Sequence, residues 1–164
     1  MPGKILLVDD EKSIRESLSK VLRTEGYDVV LAETGQEAIE KMIQEPVDLL
    51  LLDLGLPVKD GWGTLRWLAR VNPLFPVIVI TGRWKQAELA EAAGVDVLME
   101  KPLNMPLLLQ NISELLQESA GARGRKRGFR CVPCDVQAFC EQLWKRFTTP
   151  YPSGEPRDSK NHRV

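Results

Sequence analysis

The chain has few cysteines, a single histidine and no long apolar run. No segment approaches the roughly 20 apolar residues needed to cross a bilayer, and the first residues lack the apolar region and small-residue cleavage site of a secretory signal. Cys131, Cys134 and Cys140 all lie in one late segment, so they form no disulfide framework distributed over a fold. We therefore expect a cytoplasmic protein without membrane insertion.

The cysteines do not complete a metal site. A closed zinc site needs four ligands, and the single histidine, His162, lies far along the chain from Cys131, Cys134 and Cys140. A redox pair is no better supported, since the Cys-x-x-Cys spacing falls outside any predicted βαβ unit. The role of these cysteines stays open.

Charge is unevenly distributed along the chain. Residues 1–120 contain 12 basic and 19 acidic residues, a net charge of −7, whereas residues 121–164 contain 10 and 4, a net charge of +6. Such polarity is typical of an acidic domain with a basic tail that meets an acidic surface or nucleic acid.

Apolar runs alternate with segments of helical periodicity through the first 118 residues. The predicted strands are 4–10, 27–32, 47–53, 75–81 and 95–99, and the predicted helices are 13–24, 34–45, 62–71, 84–93 and 105–118. Strict alternation specifies a parallel sheet with helices on both faces. The predicted fold class is therefore α/β, a doubly wound parallel sheet of five strands and five helices.

Several of these helices have recognisable boundaries. Thr34 and Glu37 have the spacing of a capping box, and Asn104 is expected to cap the last helix. In the first helix, Ile14, Leu18, Val21 and Leu22 are expected to form the buried face.

Polar residues stand at the carboxyl ends of four predicted strands. Asp9 and Asp10 end the first strand, Asp53 the third and Thr81 the fourth, and Lys101 follows the fifth. In a parallel sheet these ends share one edge, where ligands bind. Three clustered carboxylates repel one another and call for a cation or raised pKa values, and Mg²⁺ suits a small carboxylate set. This edge predicts a phosphoryl site with Asp53 as nucleophile and Lys101 and Thr81 holding phosphoryl oxygens.

The chain resembles the receiver domain of bacterial two-component response regulators over residues 4 to 118. Five motifs in chain order carry the resemblance: Asp9-Asp10, Asp53, Pro57-x-x-Asp60-Gly61, Thr81-Gly82 and Lys101-Pro102. The resemblance implies a flavodoxin-like receiver fold. It also implies that the partner is a sensor histidine kinase or a phosphotransfer protein.

The same resemblance implies the role of each site residue. Asp53 would accept a phosphoryl group from a phosphohistidine. Asp10, Asp53 and the backbone carbonyl of Gly55 would bind Mg²⁺ directly, and Asp9 would act through a bound water. The Lys101–Pro102 bond would be cis.

Two features depart from the family pattern. Leu98 stands three residues before Lys101, where the family usually has a Tyr or Phe that turns inward on activation, so simple packing and an altered switch both stay open. The interval from Thr81 to Gly94 is shorter than usual, so the fourth helix is expected to start late or to be short. Beside the site, Arg83 is either a partner of the phosphoryl group or a solvated surface residue.

Phosphorylation would add negative charge that pulls Thr81 and its loop inward. We expect Thr81 and Leu98 to be the switch positions. By the resemblance, the remodelled partner surface comprises the fourth helix, fifth strand and fifth helix, with Trp84 at its start.

The predicted domains are a receiver at 1–120 and a tail region at 121–164. Residues 120–130 are rich in glycine and basic residues and predict a flexible linker, and residues 151–164 predict disorder. Between them, a short amphipathic helix is predicted, which either folds back on the receiver or docks into a partner or a second copy. Its apolar face consists of Val136, Phe139, Cys140, Leu143, Trp144 and Phe147.

The expected function is phosphorelay signalling through protein contacts, by a phosphoacceptor domain that is not an enzyme acting on a metabolite. One alternative is an adaptor that works without phosphorylation, and another is a nucleic-acid-binding regulator that uses the basic tail. Because 44 residues after position 120 leave little room for a DNA-binding domain, we do not expect nucleic acid as a partner. A homodimer stays open.

Overall fold

A computed structural model describes residues 3–56, 58–82, 86–121 and 130–132. Strands and helices alternate along this part of the chain, as the apolar pattern predicts. The elements in order are β1 (Lys4–Val8), α1 (Lys12–Thr24), β2 (Asp28–Ala32), α2 (Gly35–Gln44), β3 (Leu49–Asp53), α3 (Val58–Val71), β4 (Val77–Thr81), α4 (Ala87–Ala92), β5 (Val97–Glu100), α5 (Met105–Gly121) and β6 (Arg130–Val132).

The strands form one parallel sheet in the order β2-β1-β3-β4-β5-β6. The five predicted strands and five predicted helices are confirmed, and the doubly wound fold with them. The central strand β3 is buried along its whole length. Its leucines alternate between two apolar clusters, because successive side chains of a strand point to opposite faces.

Each cluster joins one face of the sheet to its helices. Leu22 of α1 and Ile112 of α5 belong to the cluster on one face. Ala38 of α2, Leu65 of α3 and Ala90 of α4 belong to the cluster on the other. Helices therefore cover both faces, and the carboxyl ends of the strands stay accessible along one edge.

Two of the predicted helix caps are present. The Thr34 hydroxyl accepts a hydrogen bond from the Glu37 amide (3.1 Å), and the Glu37 carboxylate accepts one from the Glu33 amide (2.8 Å) rather than from Thr34 itself. The Asn104 side-chain oxygen accepts a hydrogen bond from the Leu107 amide (3.1 Å). These bonds pair amides that the first turns of α2 and α5 would otherwise leave unpaired.

Three boundaries differ from the predicted ones or refine them. Helix α3 begins at Val58 rather than Trp62, so the predicted turn-rich loop is shorter. Helix α4 spans only Ala87–Ala92, in keeping with the short interval after β4. Helix α5 continues to Gly121, beyond the predicted end at Glu118.

The sheet also has a sixth strand that the sequence does not predict. Residues 130–132 lie beside β5 instead of belonging to the linker and tail. Three residues are too few to show a strand periodicity, so only the neighbouring strand identifies them. Among the described residues, no helix is long and apolar enough to cross a membrane.

Candidate functional site

The carboxyl ends of β1, β3, β4 and β5 meet at one edge of the sheet. Asp53 is the last residue of β3 and lies opposite Ile80 of β4, and Thr81, the last residue of β4, lies opposite Glu100 of β5. The Lys101 amide donates to the Thr81 carbonyl (2.8 Å). The topology therefore brings the sequence-predicted site residues together.

Three carboxylates form the centre of this edge. One oxygen from each of Asp9, Asp10 and Asp53 lies within 4.8 Å of the others. Asp9 and Asp53 are each 3% exposed, whereas Asp10 is exposed. The cluster is therefore closed on the core side and open on the side where a ligand would approach.

Lys101 supplies positive charge to the cluster. Its Nζ lies 2.6 Å from Asp53 Oδ2 and 3.9 Å from Asp9 Oδ2. The Lys101 side chain is 32% exposed, and the side chains of both aspartates are 4% exposed. A single ammonium group thus offsets part of the charge of two buried carboxylates.

Backbone amides hold two of the carboxylates in place. Asp9 Oδ1 accepts from the Glu11 amide (2.8 Å), and Asp53 Oδ1 accepts from the Gly55 amide (2.6 Å). A Cβ atom at Gly55 would lie 3.0 Å from Asp53 Oδ1. Glycine at this position therefore lets the backbone approach the carboxylate closely.

The carboxyl of Asp9 is perturbed by its surroundings. Burial raises its pKa to about 6, the Glu11 amide opposes the rise, and the nearby Asp53 carboxylate adds to it. These three carboxylates repel one another, and a divalent cation bound between them would reduce that repulsion. Asp9, Asp10 and Asp53 therefore fit Mg²⁺, which prefers carboxylate and water oxygens.

Arg15 supports the site and was not among the predicted residues. It is 5% exposed, its Nη1 donates to the Asp9 backbone carbonyl (2.7 Å), and its Nη2 pairs with Glu33. It anchors the segment that carries Asp9. The signal in the sequence was its spacing, since Arg15 stands three and seven residues before Leu18 and Leu22, on the buried face of α1.

The prediction that the buried face of α1 is apolar is partly wrong. Arg15 and Ser19 are buried with Leu18 and Leu22, whereas Val21 is 38% exposed. The buried face of α1 is therefore partly polar: Arg15 reaches the Asp9 carbonyl, and the Ser19 hydroxyl donates to the Glu16 carbonyl of the same helix.

The two predicted switch positions lie in the core. Thr81 is fully buried and Leu98 is 1% exposed. Leu98 packs in the cluster that also contains Val79, which lies opposite it on β4. The Lys101–Pro102 peptide bond is cis, as the resemblance implies.

Several predicted residues lie outside the described part of the chain. This holds for Pro57 and for the side chain of Asp60. It also holds for Arg83 and Trp84 beside the site, and for Cys134, Val136, Phe139, Cys140, Leu143, Trp144, Phe147 and His162 in the tail.

Comparison with known proteins agrees with this geometry. The family model described as the response regulator receiver domain matches residues 5–113. The chain is 37% identical over 123 residues to the transcriptional regulatory protein GlrR of Escherichia coli, covering 74% of this chain and 28% of that protein. It is 36% identical over 119 residues to the transcriptional regulatory protein CpxR of Escherichia coli, covering 71% of this chain and 50% of that protein.

Solved structures give the same result. The CheY-like receiver domain protein of Methanospirillum hungatei superposes with a TM-score of 0.68 at 33% identity, covering 73% of this chain and 98% of that one. The chemotaxis response regulator CheY4 of Vibrio cholerae superposes with a TM-score of 0.64 at 27% identity, covering 70% and 99%.

The match spans half the length or less of these two curated relatives. Both are named as transcriptional regulators, which contrasts with the expectation that nucleic acid is not a partner. Their likeness to this chain lies in the receiver portion, and that portion carries the site at the strand ends. The chain belongs to the response regulator receiver family, the phosphoacceptor domains of two-component phosphorelay signalling.

Proposed function

We propose that Asp53 accepts a phosphoryl group from the phosphohistidine of a sensor kinase or a phosphotransfer protein. The observation that supports this most directly is the placement of the Asp53 carboxylate. It is buried at a strand end, grouped with Asp9 and Asp10, and 2.6 Å from the Lys101 ammonium. Membership of the family implies a histidine kinase or phosphotransfer protein as the partner.

The transfer step forms one bond and breaks one. A carboxylate oxygen of Asp53 attacks phosphorus, and the bond between phosphorus and the histidine nitrogen breaks. The electron pair of that bond returns to the ring nitrogen, and the donor leaves as neutral histidine because its other ring nitrogen is protonated in the reacting phosphohistidine. The product is an acyl phosphate on Asp53.

Lys101 and Thr81 stabilise the charge that moves during transfer. The Lys101 ammonium already contacts Asp53 and would pair with a phosphoryl oxygen as the group arrives. Thr81 lies at the end of the neighbouring strand and would hold a second oxygen. The Lys101 ammonium is in contact with Asp53 before the reaction, whereas Thr81 would move toward the site as the phosphoryl group arrives.

Asp9, Asp10, Asp53 and the backbone carbonyl of Gly55 would hold Mg²⁺ in this site. The ion would neutralise charge on the transferring group. Asp10 is the exposed member of the set, so water and phosphoryl oxygens would complete the coordination from that side.

Phosphorylation would then switch a surface that binds a downstream protein. Added negative charge beside Lys101 would draw Thr81 and its loop toward the site. Because the backbone of Lys101 is bonded to that of Thr81, β5 with Leu98 would respond together with β4. We assign residues 1–121, together with β6, which extends the same sheet, to this phosphoacceptor unit and the residues after β6 to output.

Intact mass spectrometry tests the chemistry. The wild type and Asp53→Asn are each incubated with acetyl phosphate and Mg²⁺, and a third sample contains wild type with excess chelator. We expect one phosphoryl adduct, in the wild type with Mg²⁺ only. If phosphorylated kinases also fail to produce an adduct, the protein acts as an adaptor without phosphorylation.

A second candidate function is control of transcription through the basic tail. Two observations favour it: residues 121–164 have a net charge of +6, and the relatives named above are transcriptional regulators. Binding would be electrostatic and would weaken steeply with salt. Replacing Arg123, Arg125, Lys126 and Arg127 with Gln should abolish a gel shift of duplex DNA at low salt, and no shift with wild type would refute this function.

A further inference from the structure

The sixth strand covers an edge that the other five strands leave open. An edge strand exposes amides and carbonyls that pair readily with another extended segment. In this chain β6 lies parallel to β5, with Arg130 opposite Val97 and Val132 opposite Met99. The segment that covers the edge therefore comes from the same chain, after α5.

Backbone bonding holds β6 on β5. The Arg130 amide donates to the Asp96 carbonyl (2.9 Å). Alternate residues of a strand direct their amides to the same side, so the amide of Val132 also faces β5 and that of Cys131 faces away. The next residue, Pro133, has no amide hydrogen, so it cannot donate another bond.

One ion pair fixes the register of β6. Arg130 Nη1 donates to Glu114 Oε2 of α5 at 2.5 Å, and the other oxygen of Glu114 accepts from the Gln110 side chain at 2.9 Å. The Arg130 contact is the main cause of the lowered pKa of Glu114. Glu114 is thus oriented as an acceptor beside the first residue of the docked strand.

We infer that the outer edge of β5, together with Glu114, is a docking surface for an extended strand that begins with arginine. The chain's own residues 130–132 occupy this surface in cis and keep other strands off it. The attachment is small, since β6 has three residues and its ion pair joins side chains that are 44% and 38% exposed. Docking is therefore reversible, unlike the pairing of the buried strands.

The direction of β6 determines which end of the sheet its last residue reaches. Because β6 is parallel to β5, Val132 lies at the end of the sheet that carries the phosphoryl site. Its partner Met99 is two residues before Lys101. The docked strand therefore ends at the edge of the sheet where Asp53 lies.

Hydrogen exchange on the full chain tests whether the ion pair holds the strand. Arg130→Glu and Glu114→Arg should each speed exchange of the amides that join β5 to β6, those of Leu98, Arg130 and Val132, roughly two- to fivefold, because the pair is partly exposed. The double variant should restore the wild-type rate. Arg70→Glu makes the same charge change on α3, which covers the opposite face of the sheet, and should leave these rates unchanged. Equal rates in all variants would refute the role of Glu114.

A peptide competition tests the surface itself. Val132→Pro removes an amide that faces β5 and should speed exchange of the Leu98 amide, which faces β6, about tenfold, whereas Cys131→Pro is the matched control. A peptide with the sequence of residues 128–134, with serine at both cysteine positions, is added at about 1 mM. It should shift β5 amide resonances in the Val132→Pro chain and not in wild type.

The remaining outcomes contradict the inference. Equal binding to wild type and Val132→Pro would show that residues 130–132 do not block the edge in cis. No binding to Val132→Pro, despite faster exchange of the Leu98 amide, would show that the edge does not accept a strand in trans. Equal binding of a peptide with Glu in place of Arg130 would remove the arginine requirement.

Discussion

Two ion pairs in this protein each join a basic side chain to a carboxylate, but they differ in burial and in their expected effect. Lys101 pairs with Asp53 at the site, where the Asp53 side chain is 4% exposed. Arg130 pairs with Glu114 on the outer edge, where both side chains are more than a third exposed. Water reaches both partners of the second pair, whereas in the first pair only Lys101 is partly exposed, at 32%, and the Asp53 carboxylate is shielded. We therefore expect the buried pair to affect phosphorylation strongly and the exposed pair to affect only the attachment of β6.

The largest expected effect comes from breaking the buried pair. Lys101→Met removes the charge that would meet the incoming phosphoryl group and should slow phosphorylation by acetyl phosphate about 100-fold. Glu114→Gln breaks the exposed pair and should leave the rate within about twofold of wild type. Time-resolved intact mass spectrometry measures both rates, and a similar loss in both variants would show that burial does not separate the two pairs.

The arginines offer a second comparison. Arg15→Met leaves the buried Asp9 backbone carbonyl without its donor and removes the partner of Glu33, whose side chain is 64% exposed. It should lower the free energy of unfolding by about 2–3 kcal/mol. Arg23→Met is the matched control, because Arg23 also donates to a backbone carbonyl, that of Val29 at 3.1 Å, but does not support the site. Urea denaturation measures both, and a smaller loss for Arg15→Met than for Arg23→Met would contradict the prediction.

The carboxylate cluster should cost stability in metal-free buffer. The folded-state pKa of Asp9 is raised from 3.8 to about 6, so the folded protein retains a proton that the unfolded chain releases. The free energy of unfolding should therefore fall as pH rises through this window. Asp9→Asn should be more stable than wild type by about 1–3 kcal/mol at pH 7.5, and the difference should vanish below about pH 4.

Thermal denaturation with chelator at several pH values measures this effect. Adding Mg²⁺ should stabilise wild type, because the ion binds only the folded site. It should stabilise Asp9→Asn less. A stability difference that does not change with pH would show that Asp9 does not titrate in this range.

The smallest expected effect concerns the exposed pair. Arg130→Gln should leave the urea midpoint indistinguishable from that of wild type, because unfolding of the core does not depend on β6. Exchange of the Leu98 amide should nevertheless be faster. A lowered global midpoint would show that β6 is part of the cooperative core, which would remove the contrast between the two regions.

Most of the fold and the centre of the site could be predicted from short segments. The apolar run that ends in Asp53 predicts a strand with no polar face. Asn104 predicts the beginning of a helix because its side-chain oxygen can accept from a first-turn amide. Asp9, Asp10 and Thr81 end apolar runs, and Lys101 follows one after Glu100. Each pattern is local, so alternation of strands and helices was enough to place those residues on one edge.

Other features depend on residues far apart in the sequence. Arg15 looks like a surface residue until α1 packs beneath the backbone of Asp9. Residues 130–132 become a strand only because β5 offers an open edge and α5 offers Glu114. Residues 130–132 have no period or motif of their own, and the helical spacing of Arg15 indicates its face of α1 but not the carbonyl that it bonds.

The sequence by itself determined the alternating elements, the parallel sheet and the set of polar residues at its edge, because these follow from local periodicity and chain order. Only the tertiary structure decided that Lys101 meets Asp53, that Arg15 is buried and that residues 130–132 extend the sheet. Those outcomes depend on burial and on distances between residues remote in the chain. They are set when the helices and strands pack together.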